Sequence, residues 1–286
     1  MASLRRSGPE GLERSCGSNE WVRGRGPIDG VELMQARFGG RAFARHRHDT
    51  YAVGVTEVGV QVFDYRGRAE VALPGQVAVL HPDEPHDGRA GDAAGFGYRI
   101  VYVEPARVAE AVRALLGRPS PLPFVREPVV DSPALAAAVT AAFRSPPEPL
   151  ALDAVVVGLA EGLLRASAAP GTPPAPAARV DRNAVARARA LLDAAPRVVG
   201  SAELEAVAGL SRYELARQFR AAFGTSPHRY SVLRRLDRAR ALLPGGAPLA
   251  DAALASGFAD QAHFTRAFRA AFGLTPGRYR ALRRVA

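Results

Sequence analysis

The sequence predicts a multi-domain α+β chain. A β-barrel with accessory helices occupies its first part, and an all-α domain with two helix-turn-helix units occupies its last part. Three observations carry this prediction. Short Val-, Phe- and Tyr-rich segments separated by turn residues lie between residues 31 and 103, a proline-rich stretch follows at 168–180, and a 21-residue pattern beyond it occurs twice.

The strand segments are 31–38, 51–65, 69–73, 76–80 and 98–103, each with partial apolar alternation. Arg66-Gly67 suits a hairpin turn, and Pro74-Gly75 suits the centre of a type II turn. Several short strands with such punctuation suggest a barrel or sandwich. Helical patterns follow at 105–116, 132–143 and 150–167.

Ala168 to Arg179 reads AAPGTPPAPAAR, whose four prolines cannot continue a helix. The expected organisation is a mobile tail at 1–18, a domain at 19–167, a linker at 168–180 and a second domain at 181–286. Charge divides at the same place. Residues 1–179 balance 20 Arg against 20 acidic residues, whereas residues 180–286 carry 18 Arg against 8, so the net charge of +10 sits wholly on the second domain. Such an excess suits a polyanion, because phosphate neutralisation with counterion release drives nucleic-acid affinity. The one cysteine, Cys16, excludes an intrachain disulfide and a cysteine-based zinc site. No stretch approaches the ~18 apolar residues of a membrane span. The arginine-bearing N-terminus lacks the apolar core of a secretory signal, so the expected location is the cytoplasm, with the nucleoid.

After the linker, Asp181 caps a first helix, Ser201 opens a short one that stops at Gly209, and Ser211 with Glu214 forms a capping box for the next. A helix, a glycine-containing turn and a capped second helix make a helix-turn-helix pattern. Residues 215–235 (LARQFRAAFGTSPHRYSVLRR) and 264–284 (FTRAFRAAFGLTPGRYRALRR) agree at 13 of 21 positions at an offset of 49. Phe219 and Phe223, like Phe268 and Phe272, share a helix face. Gly224 and Gly273 suit C-caps, and Pro227 and Pro276 suit first helical positions.

With these residues in place, 181–286 resembles the DNA-binding domain of AraC/XylS-type transcription regulators, most specifically over GFADQAHFTRAFRAAFGLTPGRYR (Gly257 to Arg280). The resemblance implies seven helices, with two reading helices (Ser211–Phe223 and Asp260–Phe272) joined by a connector at Pro227–Leu243. The reading helices would enter major grooves about one turn, ~34 Å, apart. By motif position the base-reading candidates are Tyr213, Arg217, Gln261, His263, Thr265 and Arg266. The phosphate candidates are Ser211, Arg212, Arg220, Ser226, Arg269 and Thr275. Ala262 stands where the family often has a polar residue.

In the first domain, His46-x-His48 after Gly40, and Pro74-Gly75 followed by Pro82 and His86, resemble the two motifs of cupin barrels, the fold of AraC-type sensor domains. Residues 49–53 (Asp-Thr-Tyr-Ala-Val) lack the glutamate that metal cupins carry after H-x-H. The expectation is therefore no cofactor and no catalytic residue, with His46, His48 and His86 the only metal candidates. These three, with Trp21, Tyr51, Tyr98 and Arg99, are the candidate lining of a small-molecule pocket.

The reading is a transcription regulator, an activator rather than an enzyme. Its expected partners are double-stranded promoter DNA, a small-molecule effector, RNA polymerase and a second copy of the chain, with no membrane. The alternatives are a metal-dependent cupin enzyme fused to a DNA-targeting module and an effector-independent DNA-binding protein.

Overall fold

A computed structural model describes residues 20–144, 148–168, 179–243 and 245–283. The expected tail at 1–18 lies outside the described residues, as does the expected linker apart from residues 168, 179 and 180. The chain divides into two units, Met1–Pro147 with Val155–Ala177, and Glu148–Ala154 with Ala178–Ala286.

The first unit holds two antiparallel sheets. Its strands are β1 (Trp21–Ile28), β2 (Val31–Phe38), β3 (Arg41–His46), β4 (Tyr51–Gly59), β5 (Gln61–Tyr65), β6 (Arg68–Ala72), β7 (Val77–Leu80), β8 (His86–Ala90), β9 (Phe96–Val103) and β10 (Val129–Val130). One sheet runs β1-β2-β9-β4-β7-β10 and the other β3-β8-β5-β6. Period-two alternation gives each strand an inner face. Met34, Ala36 and Phe38, then Phe63 and Tyr65, then Phe96, Tyr98 and Ile100 form the apolar core between the sheets. The anticipated turns are present. Arg66 and Gly67 both have positive φ, as a type I′ hairpin requires, and Gly75 has φ 90°.

Strands β1, β3, β8 and β10 were not foreseen. Beyond Val22, β1 is exposed, so it lacks alternation, and β8 (HDGRA) is mostly polar. The helices α1 (Pro105–Leu116), α2 (Pro133–Ala142) and α3 (Pro149–Ser167) fall where the pattern placed them. In the portion of α3 that belongs to the first unit, a Cβ on Gly162 would stand 2.4 Å from Leu135 Cδ2 and one on Gly158 3.2 Å from Ala138 Cβ, so the two glycines let α2 and α3 approach closely.

The second unit contains α4 (Arg182–Ala194), α5 (Ser201–Ala208), α6 (Arg212–Phe223), α7 (Pro227–Leu242), α8 (Leu249–Ala255), α9 (Gln261–Phe272) and α10 (Pro276–Arg283), the seven helices expected. Asp181 and the Ser211–Glu214 box cap α4 and α6 as read. Gly224 and Gly273, at φ 70° and 76°, end α6 and α9 in the left-handed conformation that glycine adopts without strain. Each repeat has its own core, Phe219 in one and Phe264 with Phe268 in the other.

Candidate DNA interface and ligand-binding site

The second reading helix, α9, starts at Asp260, whose carboxylate accepts the His263 N–H at 2.6 Å. Phe264 and Phe268 anchor its inner face. Its outer face leaves Gln261, Ala262, Arg266 and Arg269 exposed, with Thr265 half-buried. Gln261 and Arg266 are therefore open to solvent, as the expected base-reading side chains need to be. His263 does not. It is 5% exposed and meets Phe258 edge to face at 5.3 Å, and burial above all lowers its pKa, so it is a neutral core residue.

The first reading helix, α6, differs at the equivalent positions. Tyr213 is 1% exposed and presents no face to a groove. Arg217 is half-buried, its guanidinium donating to the Arg179 carbonyl at 3.3 Å. Arg212, expected at phosphate, lies 3.6 Å from the carboxylates of both Asp153 and Glu205. Arg220 is exposed. The Ser211 hydroxyl accepts from Glu214 N–H and donates to its carboxylate, while the Ser226 and Thr275 oxygens accept from Arg229 N–H and Arg278 N–H. All three hydroxyls are caps that satisfy helix-end donors, as read from the sequence for Ser211 but not for Ser226 and Thr275.

Sequence reading also missed the part of Glu148–Ala154. Arg235 of α7 is fully buried. It donates to Gly257 O at 2.9 Å and to both Glu148 oxygens at 2.8 and 3.0 Å, with Phe258 beneath its guanidinium. His228 Nε2 lies 3.5 Å from Glu148. Burial pushes the Glu148 carboxyl up, but hydrogen bonding and charge from His228 and Arg235 outweigh it and hold it down at about 2. Asp153, itself buried, accepts the Ser201 hydroxyl.

In the barrel, His46, His48 and His86 do gather. Ring centroids are 4.4 Å apart for His46 and His86, 4.9 Å for His48 and His86, and 6.2 Å for His46 and His48. The sheet register explains the first of these, because His46 of β3 pairs directly with His86 of β8. Each Nδ1 lies 2.9 Å from a backbone carbonyl, of Ala44, Thr50 and Glu84 respectively. A carbonyl only accepts, so Nδ1 carries a proton in each ring, and in a neutral ring Nε2 then keeps its lone pair. The His48 Nε2 is buried without a hydrogen-bond partner among the described residues. Burial lowers the pKa of His48 and pushes that of His86 down to about 4, so both rings are neutral at pH 7. Tyr102, which the sequence did not single out, stands edge-on to His48 at 5.3 Å.

The other proposed lining residues are elsewhere. Tyr98 lies deep in the core, stacked on Phe96 at 5.6 Å. Arg99, its neighbour on β9, points to the opposite face, where it pairs with Glu57 at 3.1 Å. Trp21 alternates with the core residue Val22 and lies under Arg23. Tyr51 is buried, 2% exposed, but on the face opposite the inter-sheet core that Ala52 enters. Its hydroxyl donates to Pro123 O at 2.8 Å, and its ring meets His81. His81 Nε2 accepts Val125 N–H at 3.0 Å, fastening the 122–126 segment, and burial followed by the Arg66 charge pushes His81 down to about 4. Only a strand register known residue by residue separates these faces. A cleft of about 210 Å³ beside the β5–β6 turn is lined by Arg45, Asp64, Arg66 and Arg68 among others. Among the described residues, no group of three or more His, Cys, Asp or Glu is placed to hold a metal ion, and no helix is long and apolar enough to cross a membrane.

Comparison with known proteins places these features in a family. Residues 30–156 match the AraC-like ligand-binding domain and residues 204–282 a helix-turn-helix domain. A helix-turn-helix-type transcriptional regulator of Bacillus subtilis (strain 168), YbfI, is 27% identical over 241 residues, covering 82% of this chain and 86% of its own. An AraC-type regulator structure from Chromobacterium violaceum is 32% identical over 35% of this chain and 91% of its own, with a TM-score of 0.33. The DNA-binding domain of AdpA, solved with a target DNA, is 27% identical over 36% and 95%, with a TM-score of 0.34. The two domain matches and the full-length relative together make the chain a member of the AraC family, a DNA-binding transcription regulator with an N-terminal ligand-binding domain.

Proposed function

We propose that the chain is an activator whose hold on promoter DNA is set by a small neutral or cationic molecule bound at the histidine corner of its barrel. The observation that carries this is the convergence of His46, His48 and His86 with their protons turned to the backbone. The neutral His48 and His86 rings, offering Nε2 lone pairs, select a ligand that donates, such as a polyol or an amine. In the second unit the exposed Gln261 and Arg266 read bases, and Arg220 and Arg269 hold phosphates. Two copies of the chain meet across the helices of residues 105–167 and place bound DNA beside RNA polymerase. The effector acts by binding one arrangement of the protein better than another.

A panel of polyols, amines and carboxylates, screened by thermal shift on the full chain, tests the ligand class. Stabilisation by donors that His48→Ala and His86→Ala abolish, with Arg68→Ala unaffected, is the expected result. The arginine-lined cleft supports a second reading, an anionic effector. Stabilisation by carboxylates alone, lost in Arg68→Ala and kept in His48→Ala, replaces the first reading with the second.

A further inference from the structure

We infer that residues 148–154 are a removable cover on the first reading helix, so that with the cover seated only the second copy presents an open base-reading face. This rests on the reading that both α6 and α9 are reading helices.

The repeat supplies its own control. Both helices have 12 residues, the same Phe-x-x-x-Phe anchor and the same left-handed glycine cap. Two copies of one design should expose the same positions. They do not. Gln261, Ala262 and Arg266 are exposed on α9, while on α6 Arg212 and Arg217 are half-buried and Tyr213 is buried. Ala216 is buried where its counterpart Thr265 is half-exposed. Residues present at one copy alone must account for much of the difference.

Glu148–Ala154 is such a piece. Leu150 enters the core formed by Ala184, Leu204, Leu215 and Phe219. Leu150 and Asp153 line a small crevice together with Arg212, Leu215 and Ala216, so they lie against one side of α6. Two carboxylates fasten the piece, Asp153 to Ser201 and Arg212, and Glu148 to Arg235 and His228. Arg212, held by Asp153, is unavailable to a phosphate, so cover and DNA compete for its charge, whereas the buried Arg235 only anchors the cover. The helix that begins in the cover continues to Ser167, and its residues 155–167 belong to the ligand-binding unit. Cover and sensor are therefore one piece of chain, and a rearrangement that shifts that helix would lift the cover.

Cysteine reporters in the full-length protein test this directly, because the chain has one native cysteine. With Cys16→Ser in place, Ala216→Cys and Thr265→Cys put a thiol at equivalent positions of the two copies, and N-ethylmaleimide reads their access. Alkylation at 216 is expected to be at least ~10-fold slower than at 265, and Asp153→Asn or Leu150→Ala should bring the two within about 2-fold while helical circular dichroism is unchanged. Equal rates in the otherwise unmodified chain overturn the proposal. So does a slow rate at 216 that neither variant accelerates, or one that rises only as helical signal is lost. Titration of the full chain with a mixed-sequence duplex separates this from the DNA reading. Arg212→Ala should change affinity less than about 2-fold in the unmodified chain and clearly more in Asp153→Asn. If Arg212→Ala is silent in both while the alkylation pattern holds, the cover stands and α6 loses its assignment as a DNA-contacting helix.

Discussion

The two helix-turn-helix copies share a scaffold and differ in what surrounds it. Phe219 meets Phe223 and Tyr230 much as Phe268 meets Phe272 and Tyr279, with the Phe219–Tyr230 and Phe268–Tyr279 ring centroids 5.5 and 5.6 Å apart. Yet the outward residues of α9 are open and those of α6 are engaged by carboxylates and a backbone carbonyl. Internal similarity therefore fixes the core of each copy without fixing its availability. Positions equivalent in the motif are not equivalent in chemistry.

The largest expected effect tests the shared part. Phe219→Ala and Phe268→Ala each remove a fully buried ring and should each destabilise the second unit by about 3–5 kcal/mol in urea unfolding. A markedly smaller loss at one would mean that the two cores are not built alike.

Next comes the fastening of residues 148–154 to Arg235. Glu148→Gln strips the buried Arg235 of its carboxylate, and the loss should be about 2–4 kcal/mol, somewhat below that of a fully buried pair because Glu148 is partly open. Calorimetry that shows no change in melting would place Glu148 away from Arg235 in solution.

Arg266→Ala should lose about 1–3 kcal/mol at a selected site and much less on random duplex. Arg217→Ala in the same full-length protein should lose clearly less at the site. Equal losses would erase the asymmetry between the copies.

The smallest effect is a pH dependence confined to the second copy, where His263 occupies the position that Glu214 holds in the first. Burial depresses the folded pKa of His263 below its ordinary 6.5, so the unfolded chain binds the proton more readily. Its contribution is complete above pH 6.5 and is lost as pH falls through the folded pKa. Protection of α9 amides, corrected for the intrinsic exchange rate at each pH, should fall over that window in the native chain and not in His263→Gln. Loss of protection that persists in the variant would assign the effect to another group.

Much of this was legible in the sequence. Glycine caps, the Ser211 box and the 49-residue repeat fix the helices of the second unit because they are local signals. The H-x-H spacing and His86 identified the three histidines because a barrel must bring those strands together. What was not legible depends on register and on distant partners. Whether Tyr51 or Ala52 faces inward turns on a single residue of alternation, and neither β1 nor β8 carries enough apolar contrast to announce itself. The cap roles of Ser226 and Thr275 follow from local geometry that motif position hides. Nothing near Arg235 in sequence pointed to Glu148, 87 residues earlier.

That last pair has a bearing on how the molecule divides as an inherited part. A guanidinium cannot shed its charge at any physiological pH, so a wholly buried arginine requires a permanent counterion. The counterion here is encoded upstream of the proline-rich stretch, on the far side of the obvious place to cut. A fragment beginning at residue 180 keeps every helix of the reader and drops Glu148. Exchange of readers between relatives by recombination at that stretch would leave Arg235 without its partner unless the incoming sequence supplied another. The transferable module is thus discontinuous, with a seven-residue portion lodged inside its neighbour's sequence. Arg235 and Glu148 should therefore change together or not at all.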